Sequence, residues 1–240
     1  MRLVSLDPAD LACFPALGRQ IFHRDTTADR GVLQQILVNQ DYELSRLSRY
    51  SEIDALYTTL ERPLVVDCGA NIGASAVWFA TRYPAATVLA IEPDADNFEL
   101  LRMNSEGLEV GGLLGAIAGR PGTVQVLDVG NGEWGYRTSG PGRPTGEVRA
   151  LTLSELLDLA PGRTPFILKI DIEGGEADLF DDEPEVFARF PVLIIELHDW
   201  MLPRGGTSRP FLRWHAARDR DFVHIGENVF SLCNTLLPAG

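Results

Sequence analysis

Residues 64–73 read Leu-Val-Val-Asp-Cys-Gly-Ala-Asn-Ile-Gly, a short apolar run that ends in an aspartate and two glycines. A run this short and this apolar is typical of a strand buried on both faces, as in a parallel sheet. Gly69 and Gly73 allow the chain to turn sharply and a ligand to approach the backbone. Because a helix is predicted at about 74–82, the segment indicates a strand, a glycine loop and a helix, with a ligand at the carboxyl end of the strand.

Four more apolar runs of this kind follow along the chain. They lie at 87–91, 113–118, 166–170 and 192–195. Helical segments that alternate with them, or follow the last of them, are predicted at about 95–106, 152–159, 175–189 and 208–219. Alternating strands and helices predict a doubly wound α/β fold. An apolar hairpin at 222–233 predicts that the sheet ends antiparallel.

Two parts of the chain depart from this alternation. Residues 1–62 have a roughly helical spacing of apolar residues, so we predict a helical N-terminal extension before a domain at 63–240. Thr123–Val129 predicts one additional strand. After it, a stretch rich in glycine and proline runs over Gly130–Gly146, and a loop of that length in a compact domain is typically functional or disordered.

Composition excludes several classes of protein. Of the 240 residues, 45% are hydrophobic and 23% are charged, which is ordinary for a globular chain. The 34 acidic and 21 basic residues give a net charge of −13, and a chain this acidic repels phosphate backbones, so we expect no nucleic-acid partner. Three cysteines without metal-binding spacing, no visible secretory signal and no apolar run of membrane-spanning length indicate a cytoplasmic protein without a membrane partner.

The glycine loop and the acid that follows the second run favour one class of nucleotide. Positions 71 and 74 are Asn and Ala, where a dinucleotide fingerprint has glycine, so a pyrophosphate would meet side chains. Glu92 is placed to accept both hydroxyls of a ribose. Asp67 suits a cationic ligand, and S-adenosylmethionine carries an ammonium and a sulfonium but no phosphate. The two acids therefore favour S-adenosylmethionine over NAD, with a cap or turn role for Asp67 as the alternative.

Five motifs resemble the FkbM family of S-adenosylmethionine-dependent methyltransferases. In order, they are Val66–Gly73, Ile91–Pro93 with Asn97 and Asn104, Ala116–Ala118 with Gly122, Leu168–Glu176, and Ile195–His198. The resemblance implies a class I methyltransferase fold, with a Rossmann-like, seven-stranded, mostly parallel sheet, and O-methylation of sugar or natural-product hydroxyls. The cofactor-binding residues expected on this basis are Asp67, Gly69, Ala70, Asn71, Gly73, Glu92, Pro93, Asn97, Ala116 and Ile117. For Asn97, capping of its own helix is an equal alternative.

Charged side chains at the ends of two neighbouring strands form the predicted catalytic cluster. Lys169, Asp171 and Glu173 alternate and so point to one side of the strand as far as it continues, and Glu196 and His198 are paired in the same way. In one interpretation, Asp171, Glu196 and His198 hold Mg²⁺ or another divalent cation that lowers the pKa of a substrate hydroxyl. In another, Glu173 or His198 is a metal-free general base.

A structural interpretation of the same cluster is an ion pair between Lys169 and Glu196 that neutralises a buried lysine. Lys169 is also a candidate base if burial lowers its pKa, although the ion pair is the favoured interpretation. A non-catalytic S-adenosylmethionine-binding module is the rival function, and it would need no such cluster. The aromatic residues Trp200 and Trp214 are predicted to pack in the core, with a pocket wall as the alternative.

The glycine-rich stretch carries the candidate acceptor-binding residues Trp134, Tyr136 and Arg137. We predict a lid whose arginine pairs with a carboxylate or phosphate of the acceptor. The alternative is a surface loop in which Trp134 packs on the domain. The expected partner is a small-molecule hydroxyl acceptor, and the oligomeric state is left open, with a homodimer among the options.

Overall fold

The computed structural model describes residues 7–128, 136–137, 143–172, 175–201 and 204–237. The strands of this part are β1 (Ala12–Ala16), β2 (Arg19–His23), β3 (Pro63–Cys68), β4 (Thr87–Glu92), β5 (Val110–Leu114), β6 (Ala116–Ile117), β7 (Gly122–Asp128), β8 (Tyr136–Arg137), β9 (Arg143–Leu151), β10 (Thr164–Ile170), β11 (Val192–Glu196), β12 (Arg220–Ile225) and β13 (Asn228–Cys233). The α-helices are α1 (Thr27–Leu33), α2 (Tyr50–Thr59), α3 (Ala74–Arg82), α4 (Ala95–Asn104), α5 (Leu153–Asp158), α6 (Glu176–Asp182), α7 (Pro184–Phe187) and α8 (Arg209–Ala216). Within these residues, no helix is long and apolar enough to span a bilayer.

The central sheet has seven strands in the order β12-β13-β11-β10-β3-β4-β5. β3 pairs in parallel with β4 and β10, β4 with β5, and β10 with β11. Within the described part of this sheet, antiparallel pairing is confined to β13, which pairs with β11 and β12. The predicted class I methyltransferase sheet, mostly parallel with a C-terminal antiparallel hairpin, is confirmed.

Both faces of β3 are covered, which explains why its sequence is nearly continuously apolar. Val65 packs into a cluster with α3, α4 and the N-terminal extension. Leu64, Val66 and Cys68 pack into a second cluster with α5, α6 and α8 on the opposite face. Because side chains alternate along a strand, Asp67 lies on the same face as Val65, and this places a charged group beneath the extension.

The loop after β3 turns in the left-handed region of backbone space. Gly69 has φ +82° and Gly73 has φ +87°, so the predicted sharp turn is confirmed. A Cβ on Gly69 would lie 1.8 Å from the carbonyl oxygen of Asp171, and one on Gly73 would lie 2.8 Å from the Cα of Leu101. Because glycine has no Cβ, positions 69 and 73 leave room for neighbouring protein backbone. The expectation that this room admits a ligand is therefore corrected.

The N-terminal extension contains a β-hairpin in addition to the predicted helices. β1 and β2 pair antiparallel through a two-residue turn at Leu17 and Gly18, which have φ +53° and +71°. Such a turn matches the twist of a hairpin. Ile21 and Leu33 belong to the same buried cluster as Val65, so the extension and the sheet share one hydrophobic core. The division of the chain at residue 62 stays a prediction.

A second sheet, of four strands in the order β6-β9-β7-β8, lies at the end of the third apolar run. That run, 113–118, divides at Gly115, so that β5 joins the central sheet and β6 the second one. β7 confirms the predicted additional strand. The predicted loop at 130–146 is partly wrong, because residues 143–146 belong to β9 and the backbone of 136–137 pairs with β7.

One predicted helix is divided in the structure. The segment 175–189 forms α6 and α7, which meet at Glu183. Pro184 disfavours a helical conformation for the residue before it, and it starts α7 as a first-turn proline. The other predicted helices agree with the observed ones to within a few residues.

Candidate active site

A cleft of about 480 Å³ opens at the carboxyl ends of β3, β4, β10 and β11. This is the edge of the sheet at which ligands bind in open α/β folds. The sequence-predicted residues that line it are Gly69, Ala70, Asn71, Glu92, Pro93, Asn97, Ala116, Ile117, Lys169, Asp171, Glu196 and His198. We call Asn71, Glu92 and Asn97 the loop end of the cleft, and Asp171, Glu196 and His198 its acidic end.

Other predicted residues lie elsewhere. Asp67 and Gly73 do not line the cleft. Glu173 and Trp134, and the side chains of Tyr136 and Arg137, fall outside the described residues. Their catalytic and acceptor-binding roles therefore stay predictions.

The carboxylate of Glu92 is fixed by the backbone at the loop end. Its Oε2 accepts a hydrogen bond from the N–H of Asn71 at 2.8 Å, and its Oε1 accepts one from the N–H of Asp94 at 2.9 Å. The side chain is only 4% exposed. Burial raises the pKa of Glu92 to about 7 although these hydrogen bonds lower it, so its charge changes near neutral pH.

Asn97 belongs to the loop end through its side chain. The N-terminus of α4 is capped by Asp94, which accepts hydrogen bonds from the N–H groups of Asp96 and Asn97. The capping alternative for Asn97 is therefore wrong. Its amide lies between Glu92 and Arg24, at 3.5 and 2.6 Å.

Asp67 does not offer its carboxylate to a cofactor. Its Oδ1 lies 3.1 Å from Nζ of Lys169, and its Oδ2 accepts a hydrogen bond of 2.6 Å from the hydroxyl of Ser75. The two charged residues are direct neighbours in the parallel register of β3 and β10, and the carboxylate is fully buried. The predicted contact with the cofactor ammonium is corrected accordingly: Asp67 neutralises Lys169.

Lys169 is the cation that the sequence left unexplained. Besides Asp67, its ammonium donates a hydrogen bond of 2.5 Å to the carbonyl of Gly69 and lies 3.6 Å from Asp171. The predicted pairing with Glu196 is replaced by these contacts. Burial lowers the pKa of Lys169, but the charges of Asp67 and Asp171 outweigh it and hold the pKa well above its usual value. A permanently protonated ammonium cannot act as a base, so Lys169 fixes the loop instead.

His198 is held by a carboxylate that the sequence analysis did not single out. Its Nδ1 lies 2.6 Å from Oε1 of Glu176, and both side chains are buried. Because a carboxylate accepts, Nδ1 carries the proton and Nε2 is directed towards Glu196 and Asp171, at 3.4 and 3.6 Å. Burial lowers the pKa of His198, but Glu176, Glu196 and Asp171 raise it to about 11.

The spacing at the acidic end suits a metal ion. One ligand atom from each of Asp171, Glu196 and His198 lies within 4.8 Å of the others. The distances of 3.4 and 3.6 Å from Nε2 to the two carboxylates are longer than good hydrogen bonds. The 3.4 Å distance is within the separation of two ligands on one cation, roughly 3.0–3.5 Å for bonds of about 2.1 Å, and the 3.6 Å distance is slightly longer. The three side chains could therefore hold a divalent cation.

The extension supplies cleft residues that the sequence analysis missed. Val32, Gln35, Ile36, Asp41 and Tyr42 also line the cleft. The ring of Tyr42 stacks on Phe79 at 5.6 Å and lies 5.9 Å from Nζ of Lys169. The spacing of apolar residues in the extension indicates which side is buried. No sequence motif indicates that this side also lines a cleft.

The two tryptophans predicted to be core residues differ. Trp214 packs in the cluster on the α8 side of the sheet. Trp200 lines the cleft and is 70% exposed, so the pocket alternative is right for Trp200 alone.

A sequence model of the FkbM methyltransferase domain matches residues 67–225. The chain belongs to the FkbM methyltransferase family. The matched residues include the loop end and the acidic end of the cleft.

One curated relative and two solved structures show how far this similarity extends. The hexuronic acid methyltransferase AglP of Haloferax volcanii is 26% identical over 161 residues, which cover 62% of this FkbM chain and 61% of that protein. A putative O-methyltransferase from Klebsiella pneumoniae is 16% identical, with a TM-score of 0.41 over 78% of this chain and 80% of its own. The precorrin-6y C5,15-methyltransferase of Geobacter metallireducens is 12% identical, with a TM-score of 0.40 over 77% and 84%. With TM-scores this low, the function of these two proteins is not transferred to this chain.

Proposed function

We propose that the protein transfers the methyl group of S-adenosylmethionine to a hydroxyl oxygen of a small molecule, a sugar or a natural-product intermediate. The observation that carries the proposal is the acidic end of the cleft, where Asp171, Glu196 and His198 converge beside the loop end. Transfer to a hydroxyl requires loss of its proton, and this cluster is suited to promote that loss. The relative named for hexuronic acid methylation supports a sugar-like acceptor. A non-catalytic module would leave the cluster without a use.

The loop end fits the donor by its chemistry. Glu92 has a carboxylate at the cleft wall and would accept the ribose hydroxyls. Ala116 and Ile117 are apolar wall residues that would flank the adenine. Lys169 holds the carbonyl of Gly69 and thereby fixes the loop against which the methionine part would lie. These groups align the donor, and alignment is the main contribution a protein makes to methyl transfer.

The acidic end fits a divalent cation held by Asp171, Glu196 and His198. Glu176 fixes the histidine so that Nε2 faces the two carboxylates, an arrangement that orients metal-binding histidines in proteins. Such a cation lowers the pKa of a bound hydroxyl. The oxygen ligands suit Mg²⁺, and the imidazole extends the choice to Mn²⁺.

The metal-free alternative assigns the proton to a carboxylate. A histidine whose pKa is raised to about 11 is protonated at neutral pH, so it is not a free base, and a cation would have to displace the proton on its Nε2 before the ring could bind the metal. Glu173 is the remaining predicted base, and it lies outside the described residues. The two interpretations differ in whether turnover needs an added cation, and the test below separates them.

The test uses metal-stripped protein, calorimetry with S-adenosylhomocysteine, and transfer of labelled methyl from S-adenosylmethionine to hexuronic acids and neutral sugars. We expect S-adenosylhomocysteine to bind without metal, and transfer to need added Mg²⁺ or Mn²⁺. Asp171→Asn should retain cofactor binding and lose at least about tenfold in metal-dependent turnover, since a charged ligand is removed. Full turnover in excess chelator would leave Glu173 as the base, and a methyl group found on carbon or nitrogen would refute O-methylation.

A further inference from the structure

A chain of polar contacts runs from the N-terminal extension to the loop end of the cleft. Arg24, just after β2, donates two hydrogen bonds to Asp29, from Nε to Oδ2 at 3.0 Å and from Nη2 to Oδ1 at 2.7 Å. The same Nη2 donates to Oδ1 of Asn97 at 2.6 Å. Nδ2 of Asn97 then lies 3.5 Å from Oε1 of Glu92. Asp29, Asn97 and Glu92 are all buried, so this series of contacts lies in the protein interior.

Arg24 determines which end of the Asn97 amide faces Glu92. A guanidinium has donors only, so it holds the amide oxygen of Asn97 towards itself. The amide NH₂ is left facing the carboxylate of Glu92, with Nδ2 3.5 Å from Oε1 in a long hydrogen bond. If the amide were reversed, its oxygen would face Glu92 and would favour the protonated acid. The orientation set by Arg24 thus selects the form of Glu92 that can accept two hydroxyl hydrogen bonds.

We propose that Arg24 is a positioning residue for the methyl donor, acting through Asn97 to keep Glu92 an acceptor for the ribose hydroxyls. The proposal rests on the proposed role of Glu92 in cofactor binding. Arg24 lies outside residues 67–225, the part that matches the family. The extension of this chain is therefore part of the cofactor site and sets its affinity.

The charge of Glu92 is poised to respond to a single hydrogen bond. Its pKa is raised to about 7 because burial and the charge of Asp94 outweigh the N–H groups of Asp94 and Asn71 and the amide of Asn97, which lower it. Arg24 approaches from the end of β2, and its charge is balanced by Asp29 on α1. Loss of the amide NH₂ would raise the pKa of Glu92 and so increase its protonated fraction at neutral pH.

A separate contact holds the extension in place when Arg24 is changed. The side chain of Asn104 accepts a hydrogen bond from the N–H of Phe22 at 2.7 Å and donates to the carbonyl of Phe22 at 3.0 Å. It also donates to the carbonyl of Ile72 at 2.8 Å. The end of β2 therefore stays attached to α4 and to the glycine loop, and we expect Arg24→Ala to fold.

The experiment measures the Kd of S-adenosylhomocysteine by calorimetry at about pH 6 and about pH 9, on either side of the Glu92 pKa. We expect Arg24→Ala and Asn97→Ala to weaken binding about five- to tenfold at the lower pH, the equivalent of one hydrogen bond, and less at the higher pH. The double variant should lose no more than either single one, because both changes break the same path. Arg24→Lys should restore part of the loss. Arg30→Ala, which removes an exposed arginine paired with Asp25, is the matched control.

Each outcome decides the proposal. Equal weakening at both pH values would show a merely structural role for Arg24, and wild-type binding in Arg24→Ala would refute the path outright. If Arg24→Ala does not fold, Asn97→Ala and Arg24→Lys carry the same comparison. Glu92→Gln distinguishes the proposed role of Glu92 from that of Arg24. Unchanged binding of S-adenosylhomocysteine in this variant refutes the role of Glu92 itself. Weakened binding in Glu92→Gln with unchanged binding in Arg24→Ala refutes the positioning role alone.

Discussion

At the loop end of the cleft, the buried carboxylate of Glu92 accepts hydrogen bonds from backbone N–H groups. At the acidic end, the carboxylates of Asp171 and Glu196 face one imidazole at distances beyond good hydrogen bonds. Neutral dipoles fixed by the backbone stabilise the first charge, whereas the second arrangement brings two like charges together and needs positive charge to balance them. The comparison teaches that the loop end is stabilised by backbone N–H groups, whereas the acidic end is balanced by the charged side chains of His198 and Lys169.

The buried pair of Lys169 and Asp67 adjoins both ends, since Lys169 contacts the carbonyl of Gly69 and lies 3.6 Å from Asp171, and removing one partner has the largest expected effect. Lys169→Met leaves a fully buried carboxylate without its cation. We expect the free energy of unfolding to fall by about 3–5 kcal/mol, measured by urea denaturation. The loop end should be lost with it, since Lys169 also holds the carbonyl of Gly69.

The double variant Asp67→Leu with Lys169→Met is the control for that experiment. Replacing both partners by apolar residues removes the unpaired charge, so we expect most of the stability to return. Arg149→Ala, which breaks an exposed pair with Glu155, should cost about 1 kcal/mol or less. A loss in Lys169→Met no larger than in Arg149→Ala would mean that the buried pair contributes no more to stability than an exposed one.

Glu176→Gln sharpens the comparison at the acidic end. The amide cannot supply the charge that fixes His198 with its proton on Nδ1, so we expect the affinity for Mn²⁺ to fall about 10- to 100-fold. Calorimetric titration of Mn²⁺ into metal-stripped protein measures it, with the Kd of S-adenosylhomocysteine as the independent reading of the loop end. Glu185→Gln, at an exposed pair with Arg218, is the matched control. Unchanged Mn²⁺ affinity in Glu176→Gln contradicts the organising role of Glu176.

Glu92→Gln tests the loop end and has the smallest expected effect. Hydrogen bonds to a charged acceptor contribute about 1.5–3 kcal/mol, so binding of S-adenosylhomocysteine should weaken at least about tenfold. Because the pKa of Glu92 is raised to about 7 and ribose hydroxyls favour the ionised form, wild-type affinity should rise as the pH rises through 7. The variant should show no such rise, and a pH dependence that persists in Glu92→Gln would locate the titrating group elsewhere.

Much of the fold was predictable because the strands are buried on both faces. Continuous apolar runs place β3, β4, β10 and β11 to within a few residues of the observed strands. The hairpin of β1 and β2 was missed because the extension was interpreted by helical spacing alone, although Leu17 and Gly18 form its turn. The break before Pro184 was readable from the sequence, since the residue before a proline avoids the helical region.

The cleft residues that belong to sequence motifs were predictable. The ion-pair partners that depend on the register of neighbouring strands were not. Glu92, Asn97 and the acidic end line the cleft as expected. The partner of Lys169 depends on which residues of β3 and β10 stand opposite one another, and spacing along one strand does not give that. Arg24 lies far from Asn97 in sequence, so only the folded extension brings them together.

The contact between Gly69 and the backbone of Asp171 limits which substitutions and loop exchanges the protein can tolerate. The atom that fills the Cβ position of Gly69 is a main-chain carbonyl, 1.8 Å from where the Cβ would lie. Every residue type carries that atom, so no change at position 171 can compensate for a side chain at position 69. In saturation libraries, position 69 should admit only glycine whatever its neighbour. When segments are exchanged between related enzymes, the loops after β3 and β10 must travel together as one unit.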